Sequence, residues 1–127
     1  EQVGRFARRP APDLKGLRVA LHAHMREQAR QGLVACHRAG GVVSGALRIE
    51  AAMGQPFVAL VRASDAAHGA VEAARSVVPG GVFGSLDLDR KGLGQLVGKG
   101  PRAVLAVRAG KLGNRFAHQL QCSLDLG

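Results

Sequence analysis

Apolar residues recur at spacings of three and four from Leu14 through Leu17, Leu21, Met25, Ala29 and Leu33 to Cys36. That period traces one face of a long helix. Asp13 stands where its N-cap belongs, Gly40-Gly41 where it ends, and Gly32 is placed to break or kink it. Beside the apolar face, Arg18, His22, Arg26 and Arg30 recur every fourth residue as a basic stripe. Val42-Val43 reads as a short strand, and Ser44-Gly45 opens a second helix to about Met53, with Ser44 able to cap its free amides. Phe57 to Arg62 is a compact apolar run followed by Ser64-Asp65, the pattern of a buried strand feeding a helix cap. A helix from Ala66 to about Val77, ended by Pro79-Gly80-Gly81, precedes a short strand at Val82-Phe83. Asp87 to Val97 suits a helix with acids in its first turn, Arg102 to Val107 a strand, and Leu112 to Cys122 a terminal helix. Strands alternating with helices of roughly ten residues predict an α/β fold, a small sheet with helices on both faces.

The chain has 127 residues, enough for one core and too few for two. Residues 1–13, ending Arg8-Arg9-Pro10-Ala11-Pro12-Asp13, read as a basic linker or arm, and residues 14–127 as a single α/β domain. Ala, Val and Leu carry the hydrophobic content, with four Phe and no Trp or Tyr, so the core is expected to be aliphatic. No apolar run approaches the roughly 18 residues of a membrane helix, and no membrane partner is expected. The start, Glu1-Gln2-Val3-Gly4-Arg5, has no signal-peptide pattern and reads as part of something larger. Cys36 and Cys122 are too few and too distant for a disulfide scaffold, which favours a cytoplasmic location.

Charge changes the picture. Eighteen basic against nine acidic residues leave a net +9. The excess is segregated: nine basic and three acidic residues over 1–48, two and five over 49–89, and seven and none over 90–115. Fourteen of the eighteen cations are Arg, whose flat fork matches phosphate. If the fold joins the two basic segments, they form a patch suited to nucleic acid.

Motifs of other chemistries fail on spacing. The stretch Gly92 to Gly100 is glycine-rich, but Gly94 and Gly98 stand too close for a P-loop, and Gly100 follows Lys99 where a Ser or Thr belongs. Val97 occupies the place of the third glycine of a dinucleotide fingerprint. His118 and Cys122 share a helix face, yet nothing in the sequence brings Cys36-His37 to them, so no metal site is assigned. No nucleophile elbow or paired-acid spacing appears, and the carboxylates Asp65, Asp87 and Asp89 fall at helix starts. The chain is therefore read as no enzyme and as needing no cofactor. The remaining candidate is the helix start at Ser44-Gly45, flanked by Arg38 and Arg48, where free amides attract phosphate.

Family pattern adds to this. Leu33 to Gly45 resembles the "L-x-x-A-x-R-A-G-x-x-x-S-G" opening of the bacterial branch of the kink-turn RNA-binding ribosomal-protein superfamily, the L-seven-Ae-like fold. Phe57 to Asp65 resembles its strand ending in "A-S-D", and Leu93 to Val104 its "LG-x-x-x-GK-x-x-R-x-V" segment. The arm Gly4-Arg5-Phe6-Ala7-Arg8-Arg9 looks like the exit from a YlxR-type domain, which precedes this fold in some bacterial polypeptides.

The resemblance implies a three-layer α-β-α sandwich around a small mixed four-stranded sheet, with RNA as partner, structured and kink-turn-like or ribosomal. Carried over by position, the binding residues are Ser44, Gly45, Ala46, Leu47 and Arg48 at the second helix and Gly98, Lys99, Gly100, Pro101 and Arg102 in the loop before the last strand, with Arg38 beside them. The family's RNA binders follow the glycine with polar residues and a later Lys. Here Ala46, Leu47 and Arg48 follow and Ala51 stands at the Lys position, which leaves backbone binding by Arg38, Arg48, Lys99 and Arg102. The function implied is a non-enzymatic RNA-binding module of a protein linked to transcription termination or ribosome function. The alternative is a protein interaction module, with the Ala46-Leu47 surface meeting a partner and the basic charge placing the complex near RNA.

Overall fold

The computed structural model describes residues 14–52, 54–78 and 80–126. The expected arm over 1–13 and the Asp13 cap lie outside the described residues. Among the described residues five helices and four strands alternate: α1 Leu14–Arg38, β1 Val42–Ser44, α2 Ala46–Ala51, β2 Phe57–Arg62, α3 His68–Val77, β3 Val82–Ser85, α4 Arg90–Leu96, β4 Val104–Arg108 and α5 Lys111–Leu126. The sheet order is β1-β4-β2-β3, with β4 antiparallel to both its neighbours and β3 parallel to β2. The α/β fold is the one the alternation of strand and helix patterns predicts, and the sheet is mixed and four-stranded, as the resemblance implies.

The strands are covered on both faces, and their side chains divide with period two. Ala59, Val61, Leu105 and Val107 enter a core with Ala29, Leu33 and Cys36 of α1, Leu93 of α4 and Phe116 and Leu120 of α5. Leu60, Val104 and Ala106 face the other way, onto Ile49 of α2 and Val71, Ala74 and Val78 of the α3 region. The result is a three-layer sandwich, α1, α4 and α5 on one side and α2 and α3 on the other. Among the described residues no helix is long and apolar enough to cross a membrane.

Several boundaries differ from the sequence reading, for identifiable reasons. Gly32 does not break α1. It lies where α5 crosses, and a Cβ there would run into the Gln119 amide. The helix stops instead in a Schellman turn, Gly41 N–H donating to Cys36 O at 2.8 Å and Gly40 N–H to His37 O at 2.9 Å. The apolar face of α1 is core only from Ala29 onward, whereas Leu14, Leu17 and Leu21 are 73%, 50% and 41% exposed. The stripe of cations beside it is spent inside the molecule. Arg26 pairs with Asp87 at 2.7 Å, Arg30 donates to Leu86 O at 2.9 Å, and Arg18 donates to Leu126 O at 3.2 Å, at the end of α5.

The acids also redistribute. Asp87 has a left-handed backbone, φ 57°, which ends the helical course expected from that point and defers α4 to Arg90. Asp89 is the N-cap of α4, accepting from Gly92 N–H at 2.7 Å. Asp65 does not cap the helix that follows it. Ala67 occupies that N-cap position without a side-chain bond, while Asp65 accepts from the Arg90 amide at 2.8 Å and so also caps α4.

Candidate nucleic-acid interface

Among the described residues strand β1 lies at one edge of the sheet, paired only with β4. A cleft of about 430 Å³ runs along its outer side, lined by His37 and Gly40 from the end of α1, all three β1 residues, Arg48, Ala51 and Ala52 of the α2 segment, Gln55, Val97 and Lys99 after α4, and Arg108 of β4. Arg48 and Lys99, separated by half the chain, thus share one concavity. They reach it from opposite sides of the sheet: Ile49, next to Arg48, belongs to the α2–α3 core, and Val97, two before Lys99, to the α1–α4–α5 core. No carboxylate stands among the described lining residues.

Each wall is fixed locally. On the α2 side, Gly45 adopts φ +93°, open space surrounding the position a Cβ would take, so glycine is needed there for its backbone and not for room. The turn it makes sends the chain from β1 into α2, which holds Arg48 exposed at the cleft. On the α4 side, Gly94 lets the loop close, because a Cβ there would collide with the carbonyl of Gly100. Lys99 N–H donates to Gly94 O at 2.8 Å and Gly98 turns left-handed at φ +65°, leaving the Lys99 side chain exposed at the rim.

Arg102 ties the two walls. Its Nε donates to Ser44 Oγ at 3.4 Å, and its Nη1 to the carbonyls of Gly100 and Pro101 at 3.3 and 3.0 Å. Its backbone amide donates to Arg90 O at 3.0 Å, so the capped start of α4 and the loop after it are joined. Arg102 is therefore partly buried and acts on the shape of the loop. Across the cleft, Arg108 donates from Nε to Gln55 Oε1 at 2.8 Å and from Nη1 to Gly40 O at 2.9 Å.

The expected site residues fall into distinct positions. Ser44, Arg48 and Lys99 line the cleft together; Gly98, Gly100, Pro101 and Arg102 form the loop and its brace; Ala46 and Leu47 begin α2. Arg38 stands apart, in a groove between α1 and α4 with Val34, Leu88 and Leu96. Its neighbour His37 takes the place at the cleft, one residue turning about 100° round a helix. The start of α2 also differs from expectation. Gly45 N–H is already committed to Val104 O at 3.0 Å, Ser44 Oγ to Arg102, and the helix is only six residues long. Side-chain cations, more than free helix amides, supply the positive field. His37 is weighed in the sequence only as a metal ligand, and Gln55 and Arg108 carry no signal there, since only the β1–β4 register brings Arg108 beside Gly41 and Gly40.

Cysteine and histidine do not converge. Cys36 is buried beside Gly110 to Gly113 at the start of α5, and burial pushes its thiol pKa up. Cys122 lies near the other end of the same helix, its Sγ 3.6 Å from His118 Nε2. Among the described residues no group of three His, Cys, Asp or Glu is placed to hold a metal.

One solved structure similar to this chain is that of a protein of unknown function from Bacillus halodurans, with a TM-score of 0.62, 20% identity, and coverage of 73% of this chain and 96% of that one. At that identity the likeness is one of fold. No family model matches the chain, and no curated protein matches it.

Proposed function

We propose that the domain is a non-enzymatic RNA-binding module of the L-seven-Ae-like kind, serving a cytoplasmic protein linked to transcription termination or ribosome function. The observation that carries the reading is the meeting of Arg48 and Lys99 in one cleft with no carboxylate among its described lining. Arg48 and Lys99 from the two sides of the sheet, with Arg108 of β4 also in the lining, give a concavity in which successive phosphates of a bent backbone are neutralised. Arg102 holds the loop in place, and a YlxR-type domain upstream in the same polypeptide would extend the contact.

Two further features support phosphate over base recognition. The described lining of the cleft holds no Phe, Tyr or Trp, so the His37 imidazole is the one ring there on which a base would stack. Its polar side chains other than Arg and Lys are His37, Ser44, already held by Arg102, and Gln55, already held by Arg108. The test is an electrophoretic shift titration with a kink-turn RNA, a plain duplex and a single strand, each at two salt concentrations. Tighter, salt-dependent binding of the kinked RNA is expected. Equal weak binding to all three would leave only a basic surface, and absence of binding would overturn the proposal.

A further inference from the structure

The edge of β1 carries a second kind of recognition. Gly45 N–H donates to Val104 O and Arg108 N–H to Gly41 O, at 3.0 and 2.8 Å. With the register Val42↔Val107, Val43↔Ala106 and Ser44↔Leu105, these bonds fix the alternation of the antiparallel ladder. Gly41, Val43 and Gly45 turn their backbone groups toward β4. Val42 and Ser44 therefore turn theirs outward, presenting two N–H donors and two C=O acceptors along the cleft.

An edge with donors and acceptors alternating at strand spacing is a template for another strand. A phosphate chain has acceptors only and would leave the outward carbonyls unanswered; an extended peptide answers both. The walls then select its side chains. Successive residues of a strand point to opposite faces, and here one face meets Arg48 on α2 while the other meets His37 and Lys99. Acids at alternate positions would satisfy one wall, whereas an uninterrupted acidic run satisfies both.

We infer that the β1 edge binds an extended acidic segment of a protein partner, which adds as a fifth strand with its backbone on Val42 and Ser44 and its carboxylates divided between Arg48 and Lys99. This assignment does not depend on RNA binding. Where both hold, the two ligands exclude one another, because they use the same cations.

The experiment measures fluorescence anisotropy of a labelled hexapeptide of Asp and Glu titrated with the whole chain. One analogue of equal charge, N-methylated at every amide so that no register leaves it a donor, is compared with it. Binding of the parent, with a loss of about tenfold or more for the methylated analogue, is the expected result. Equal binding of both peptides would mean that the cleft attracts polyanions without strand pairing, and would overturn the inference. So would failure of the parent peptide to bind, whether or not an RNA oligonucleotide binds the same protein. Val42→Pro gives an independent check: it removes an outward N–H that β4 does not use, so a chain with unchanged circular dichroism is expected to lose the peptide. Unaltered peptide affinity in that folded variant would refute the pairing.

Discussion

Lys99 and Arg102 look equivalent in the sequence, two cations in one Gly-rich loop, but their surroundings divide their roles. Lys99 is exposed at the cleft rim, while Arg102 is partly buried and bonded to Ser44, Gly100 and Pro101. Lys99→Ala is expected to leave the melting temperature within the scatter of surface substitutions and to weaken RNA binding. Arg102→Ala is expected to lower both, with a loss of stability of about 0.5–1.5 kcal/mol, since the carbonyls it frees are exposed and pass to water. Thermal melts alongside filter binding separate the two; equal melts would mean that Arg102 does not brace the loop. Gly94 is the corresponding position on the backbone. A methyl group there must displace the Gly100 carbonyl, so Gly94→Ala should cost about 1–3 kcal/mol by overpacking and disturb Lys99 with it. The cysteines differ in the same local way. Cys36 is buried with its pKa raised and Cys122 is half-exposed beside His118, so in the native protein one thiol should react promptly with a disulfide reagent and the other only on unfolding. Two thiols reacting at one rate would contradict the placement of Cys36.

Among the elements, α4 is held by the most specific contacts and governs where the loop lies. Asp89 caps it from its own chain end and Asp65 from the turn after β2. The Arg90 amide, together with the Arg90 charge, holds the Asp65 carboxyl below its ordinary value. A depressed carboxylate pKa contributes stability that is complete above the unfolded value, about 3.9, and is lost as pH falls through the lower folded value. Acid unfolding curves of the wild type and Asp65→Asn should therefore converge at low pH and separate above that range, the wild type being the more stable. Curves that stay parallel throughout would remove Asp65 from the capping of α4. The strands were legible because buried runs such as Phe57–Arg62 carry their own period, and the long helices because α1 and α5 repeat apolar residues every three or four. What the sequence concealed was who met whom. Asp65 sits directly before a helix and caps a different one; the cations of α1 look like a free stripe and are tied to Asp87, Leu86 and Leu126; Leu14, Leu17 and Leu21 continue a core face beyond the end of the helix that covers it. Periodicity reports which side of an element is apolar, not how far its neighbour extends.

At the scale of the whole molecule, the sheet order converts a one-dimensional charge pattern into a site. Because β4, last in the chain, inserts between β1 and β2, the segment after α4 arrives next to the segment after β1. Arg48, from the first basic stretch of sequence, and Lys99, from the second, then meet across the edge strand, each from a different face. The segregation of charge was visible in the sequence; the edge of β1 as its meeting place was not, since it depends on strand order. That arrangement makes the cleft's electrostatics testable as a unit. Each phosphate neutralised contributes a slope of about 0.7–0.9 in the dependence of log affinity on log salt. If Arg48 and Lys99 each meet a phosphate, Arg48→Ala and Lys99→Ala should each reduce the slope by roughly that amount, and the double variant by roughly the sum, about 1.4–1.8. Arg38→Ala, removing an equal charge from the α1–α4 groove outside the cleft, is the control: it lowers the net charge identically but should leave the slope nearly unchanged. A slope that falls by the same amount in all three single variants would assign RNA to the protein's general positive field and not to the cleft at the β1 edge.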